Sequence, residues 1–349
     1  MWRMVVLKAL FSSPEPLVFR RPSNMSIGKY APGSIARSLP YPWPSTLAGA
    51  MAHIKYVEKK DGVTSSSTGG NGVYSDIESL LHLMFGEHKL YTGLAEDMQG
   101  KTLYYTPYGY VSRPIFEATV KSITRDTHPS IDPRNYRKPG VHSRIRISLE
   151  RKEKTVREEH LFQENYTDPL SVELKYLVLI KASTKTSPIK TPVRLGGRGR
   201  IGFLETKQEK DNTIEETLLP TENGDCNKWA LTLVSPALLD KSPWNKGEPI
   251  LLTEKYGKAL AKLLLGQPDT ENAEITSVYV PKNDPIGLQT VSPGWSTSEG
   301  KPRRPMLYIP PGTIITLKAG KDKIRDYIDR GLGKETGIGW GTTAAVCTD

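Results

Sequence analysis

The residues that carry the most chemistry are cations set among glycines. In RLGGRGR, Arg194, Arg198 and Arg200 interleave with Gly196 and Gly197. Near the end of the chain, RGLGKETGIGWG brings Gly331, Gly333, Gly337, Gly339 and Gly341 close together, with Lys334 among them. A backbone without side chains lets N–H groups approach a phosphate, and guanidinium or ammonium groups supply the opposite charge. The same glycines also suit tight turns of positive φ and close protein packing. Both readings stand for both loops, and the interleaved arginines tilt LGGRGR towards phosphate. A second cationic run, Arg20, Arg21, Lys29 and Arg37, lies in a long irregular stretch with Tyr30, Tyr41 and Trp43 nearby. A third, His142, Arg144 and Arg146, alternates with Ile145, Ile147 and Leu149, the pattern of a half-exposed strand with a basic outer face.

Two phosphate-binding signatures are set aside. A P-loop needs Ser or Thr after its lysine, and Lys334 is followed by Glu335. Gly197, Gly199 and Gly202 fit the bare G-x-G-x-x-G spacing. However, KTSPIKTPVRL before them is not a buried strand, and FLETKQEKDN after them is not an amphipathic helix. Catalytic patterns are equally thin. The histidines, His53, His82, His88, His128, His142 and His160, are scattered, and HExxH, GxSxG and DxDxDG do not occur. His53 falls in the first expected helix and reads as a helix-face residue. No metal and no cofactor is expected. Cys226 and Cys347 stand far apart without a CxxC, which excludes a disulfide scaffold or a cysteine zinc site and suits a reducing cytoplasm.

The formal charge of +10 points to a polyanionic partner. No apolar run approaches a membrane-spanning length, so no membrane partner is expected. The opening MWRMVVLKALF reads as a strand over residues 2–11 rather than a signal peptide. A helix is expected over 47–54, started by Pro44 and Ser45, which makes the opening of a βαβ unit. A short helix follows at 75–83. Residues 103–123 read as strands broken at Pro107 and Pro114, and the Pro-rich segment 127–140 as the domain boundary. Strands at 174–180, in KWALTLVSPALL and in ITSVYV, then a helix near 322–328, complete an α+β chain with antiparallel sheets.

These segments carry a resemblance. A terminal glycine loop behind a strand and a short helix resembles that of the RAMP superfamily of CRISPR proteins. RIRISLERKEKTVREEHLFQE resembles the RAMP hairpin. FRRPSNMSIG with SLPYPWPSTLAGAM, RLGGRGR with WALTLVSPALL, and PGWSTSEGKPRRPMLYIPPGTIITL resemble, in order, segments of one RAMP family. That family supplies the third subunit of the Cmr (type III-B) effector complex. The insertions at 61–72 and 208–225 match no motif.

The resemblance implies two ferredoxin-like, RRM-type domains, at 1–135 and 136–349, and a non-catalytic cytoplasmic protein. It implies binding to the five-prime tag of CRISPR RNA (crRNA), beside a large polymerase-like subunit and a backbone RAMP subunit, with target RNA met only indirectly. The implied RNA contacts are Arg20, Arg21, Lys29, Arg37, His142, Arg144, Arg146, Arg194, Gly196, Gly197, Arg198, Arg200, Gly331, Gly333, Lys334, Gly337 and Gly339. Both glycine loops and the early basic stretch are expected to share one groove. The alternatives are a RAMP endoribonuclease that processes CRISPR precursor RNA and the equivalent subunit of another type III complex.

Overall fold

The computed structural model describes residues 4–19, 35–36, 38–60, 73–127, 132–149, 156–197, 200–220, 226–244, 254–266, 273–296 and 301–349. The chain opens with β1 (Val5–Ser12), β2 (Ile35–Ala36), α1 (Pro44–Lys60), α2 (Ser75–Phe85), β3 (His88–Asp97), β4 (Thr102–Thr106), β5 (Gly109–Ser112) and α3 (Arg113–Thr124). A hairpin of β6 (Gly140–Leu149) and β7 (Val156–Asp168) follows, then β8 (Leu174–Ala182), β9 (Lys190–Arg194), β10 (Ile201–Glu209) and α4 (Thr213–Leu218). The remainder is β11 (Lys228–Leu233), β12 (Ala237–Leu239), α5 (Glu254–Leu265), β13 (Glu274–Tyr279), β14 (Gln289–Val291), β15 (Trp295–Ser296), β16 (Lys301–Pro302), β17 (Met306–Ile309), β18 (Ile314–Lys318), α6 (Lys321–Arg330) and β19 (Thr343–Cys347).

Seven strands form one antiparallel sheet in the order β5-β4-β3-β8-β1-β10-β9. Its central four, β10-β1-β8-β3, have the 4-1-3-2 order of a ferredoxin-like fold. The expected βαβ opening is present: α1 and α2 carry the chain from β1 to β3, and both strands pair with β8 between them. A second sheet, β13-β18-β11-β19, repeats that order, with α5 and α6 as its two crossovers. The chain is therefore α+β, with two ferredoxin-like units.

Several expectations change. The split at 135/136 does not follow the sheets, because β8 and β10 pair with β1, and the changeover falls between β10 and β11. The polar, proline-rich segment that suggested a boundary instead crosses an insertion, and Arg137 pairs back onto Tyr110 of β5. The last stretch of 103–123 is helix rather than strand. Pro114 sits in the first turn of α3, where its missing N–H is harmless, and Phe116, Thr119 and Val120 form the buried stripe. Of residues 208–225, those at 208–220 are not a free polar insertion, since they include the end of β10 and α4 buries Ile214 and Leu218; 221–225, like the other insertion at 61–72, lie outside the described residues. The sequence reading passes over α5 altogether. The cysteines are bonded, Cys226 to Cys347, tying the approach to β11 to the end of β19.

Alternating side chains place two cores on the two faces of the large sheet. Leu7, Ala9 and Phe11 of β1 face α1, α2 and the terminal loop. Val6 and Leu10 face a core that contains α3, α6 and the second sheet. Lys8 shares this second face and makes an ion pair with Glu96 of β3.

Candidate nucleic-acid interface

The β6–β7 hairpin and the LGGRGR loop meet around one ring. Tyr166 of β7 is buried, and its hydroxyl donates to Glu164 at 2.7 Å. The guanidinium of Arg144 lies 5.4 Å from the ring centroid and that of Arg200 lies 5.1 Å from it. Two like charges tolerate one another here because the ring's π-face attracts both, and Arg200 is also paired with Glu15. Cross-strand register explains the approach of Arg144, since His142 stands opposite Tyr166 and Arg144 opposite Glu164.

The same loop grips the start of the early basic stretch. Gly197 donates its N–H to the carbonyl of Val18 at 2.8 Å. Gly196 has φ +79°, and a Cβ there would stand 2.8 Å from that same oxygen. Glycine is required here for both conformation and space. On the other side Leu17 exchanges two hydrogen bonds with Thr167 of β7, each 2.7 Å. Thr167 Oγ1 donates to the carbonyl of Leu39 at 2.6 Å, and Leu39 donates to Phe19 at 2.7 Å. Residues 19 and 38–39 thus form a closed neck beside the Arg144–Tyr166–Arg200 cluster. Arg20, Arg21, Lys29, Arg37 and Arg198 lie outside the described residues, as does the side chain of Arg146. His142 is exposed, 3.1 Å from Asp168. Ile145, expected on a buried face, is 74 % exposed, because the hairpin projects from the sheet rather than lying on it.

The terminal loop is built elsewhere, on β3, β12 and α2. Gly331, Gly333, Gly339 and Gly341 all have positive φ. The amides of Gly333, Lys334 and Gly341 donate to the carbonyls of Leu264, Leu238 and Pro236 at 3.0, 2.8 and 2.8 Å. The carbonyl of Gly339 accepts from Thr92 and Ser235 at 2.7 and 2.8 Å. Trp340 is fully buried between Trp43 and Tyr74. These glycines therefore permit protein-to-protein approach, and most of their polar groups are already used. The terminal loop touches solvent at Lys334, which borders a cleft of about 390 Å³ with Arg330, Lys241 and the apolar Leu239 and Leu263. The expected single groove is thus two places. The early basic stretch and LGGRGR meet at the neck, and the terminal loop welds the two sheets together.

Behind that weld, Lys89 of β3 donates from Nζ to the carbonyl of Asp329 at the end of α6. Burial lowers its pKa from 10.5 to about 7, with the Asp329 carboxylate opposing that shift. Sequence reasoning did not single out Lys89, Tyr166 or Glu15. Phe162 and Tyr166, four residues apart and so on one face of a charged strand, were the available signal for Tyr166.

Among known proteins, the model of the Cas_Cmr3 family, described as CRISPR-associated protein, matches residues 88–348. The curated CRISPR system CMR subunit Cmr3 of Saccharolobus solfataricus is 28% identical over 234 residues, 62% of this chain and 67% of that protein. Two solved chains share the fold. One, from the type III-B Cmr-beta complex bound to cognate target RNA and AMPPnP, has a TM-score of 0.55 and 18% identity, covering 98% of this chain and 99% of that one. Another, from the same type of complex bound to cognate target RNA, has a TM-score of 0.54 and 19% identity, covering 96% of each.

Proposed function

The chain belongs to the Cas_Cmr3 family of CRISPR-associated proteins, and we propose that it is a non-catalytic RNA-binding subunit of a type III-B (Cmr) interference complex. In this reading it holds the five-prime tag of crRNA and bridges the large polymerase-like subunit to the RAMP backbone. It meets target RNA only indirectly, through the guide.

One observation carries the reading. Three segments far apart in sequence, the neck of the early basic stretch, β6–β7 and LGGRGR, converge on the Tyr166 cluster. A single-stranded tag needs cations for its phosphates and faces or edges for its bases. The cluster supplies Arg144 and Arg200, and the pinned neck delivers a stretch with four further cations in its sequence. Holding a tag requires charge and shape, and no general base takes part in it.

The test is a titration with RNA that carries the repeat-derived tag, against the same RNA with the tag scrambled. Arg144→Ala alone and Arg144→Ala with Arg200→Ala are compared with wild type at several salt concentrations. Removing one cation from a phosphate of a single strand lowers the log–log salt slope by about 0.7. The double variant is therefore expected to drop by about 1.4 in slope and to lose the preference for the tag. Unchanged slope and unchanged preference would remove the cluster from the RNA site.

A further inference from the structure

The hairpin of β9 and β10 has two unlike faces. Val193, Gly202, Leu204 and Thr206 are buried on one, towards α1. The other is open, and its cross-strand pairs are Arg194 with Ile201, Pro192 with Phe203 and Lys190 with Glu205. All six are exposed, Phe203 to 48 % and Ile201 to 52 %. An exposed phenylalanine on a strand, with proline and isoleucine as neighbours, forms a flat apolar platform. Lys190 and Arg194 sit at its rim, and Lys175 of β8 points to the same face as Leu177 and Leu179.

We infer that this face is a second RNA contact, on which a base of a single-stranded segment stacks against Phe203 while Arg194 and Lys190 hold the flanking phosphates. The inference rests on the RNA-binding reading above, but it uses a different surface. β10 is the fourth core strand of the first ferredoxin-like unit. Phe203 shares the sheet face of Lys8 and Leu10, opposite the one covered by α1 and α2. RRM domains place their base-stacking aromatics on a sheet face. Basic groups beside an aromatic plane suit a phosphate chain that carries π-faces. The arginine loop is thereby split: Arg194 belongs to this outer face, whereas Arg200 belongs to the Tyr166 cluster.

The probe is oligouridylate that carries one 4-thiouridine, with the full chain as the binder. Phe203→Ala is expected to weaken binding about tenfold, the scale of one stacked base, and the defect should persist at high salt. Phe203→Trp should bind like wild type, and its added indole emission should be quenched by RNA. Photocrosslinking should map to the β9–β10 peptide and vanish with Phe203→Ala. Arg194→Ala with Lys190→Ala should flatten the salt slope. If Phe203→Ala binds like wild type while Arg144→Ala does not, this inference is wrong and the tag reading stands. If Arg144→Ala with Arg200→Ala also leaves the salt slope and the preference for tag RNA unchanged, the tag reading falls as well. Normal RNA affinity of Phe203→Ala with failed assembly among its protein partners would make the face a protein dock and overturn the proposal.

Discussion

Replacing Gly341 by alanine separates the two possible uses of the terminal loop. Gly341 has φ +69°, and a Cβ there would overlap the carbonyl oxygen of Leu332. A left-handed backbone costs an alanine about 1–2 kcal/mol. Overpacking in a buried site adds about 1–3 kcal/mol. Moving the loop to relieve the overlap strains two bonds, Leu332 N–H to the Gly341 carbonyl at 3.0 Å and Gly341 N–H to the Pro236 carbonyl at 2.8 Å, worth about 1 kcal/mol each. The total, roughly 4–7 kcal/mol, is a large share of a typical stability of about 5–15 kcal/mol. Thermal unfolding followed by circular dichroism should therefore show a Tm lower by roughly 10 °C or more. Gly337 is the control. Its φ is ordinary, and an added Cβ meets only the carboxylate of Glu78 at 3.1 Å, the far end of a flexible side chain. Gly337→Ala should melt close to wild type, and Lys334→Ala should cost only a salt-masked fraction of RNA affinity. The reasoning is refuted if Gly341→Ala melts with wild type yet fails to bind tag RNA, because its glycine would then serve the ligand and not the weld.

The remaining predictions concern the same welded region. The disulfide closes a span of 121 residues, and loop entropy assigns such a closure about 5 kcal/mol. Reductant should lower the urea midpoint of wild type and leave Cys226→Ser unmoved, and two free thiols in the untreated protein would disprove the pairing. Lys89, with its folded pKa near 7 against an ordinary 10.5, binds its proton less readily when folded. Stability from this residue should therefore be lowest below pH 7 and rise between about pH 7 and 10.5. Urea unfolding of Lys89→Met across that range should lack this rise; an identical pH profile in the two proteins would contradict the burial of the ammonium.

What the sequence made legible follows the strength of local signals. β1, α1, α2, β8, β11 and α6 are legible because each has a regular apolar period or a proline start. The α3 stretch was misread because Pro114 was taken as a break between strands, although it starts a helix on which Ile115, Phe116, Thr119, Val120 and Ile123 recur at helical spacing. The boundary was misplaced for a different reason. Strands 174–182 and 201–209 return to β1 across an insertion, and no local pattern reports a pairing between residues so distant in sequence. The site splits the same way. Arg144, Arg200 and the neck were legible as cations near glycines, but their meeting at Tyr166 depends on β7 register and on Leu17 pairing with Thr167. The glycines at 331–341 were legible as a special loop and not as a buried one, since positive φ serves a ligand and a protein neighbour alike.

One departure from the ferredoxin-like plan accounts for both proposed RNA surfaces. A helix would ordinarily cross from the third to the fourth core strand, here from β8 to β10. The chain instead makes β9 and the LGGRGR turn. The sheet face that such a helix would cover is closed by Leu17, Phe19 and Leu39 at the neck, which pack in one core with Val193, Leu195 and Leu204. Burial of those apolar side chains holds residues 19 and 38–39, the two ends of the basic stretch, side by side at that edge. The strand that replaces the helix also widens the sheet beyond β10, and the second ferredoxin-like unit packs on Val6 and Leu10 without covering Phe203. A helix restored between β8 and β10 would remove β9 and displace the neck. The outer face on β9 would then be lost and the Tyr166 cluster would lose Arg200 and the neck, although the two surfaces share no residue.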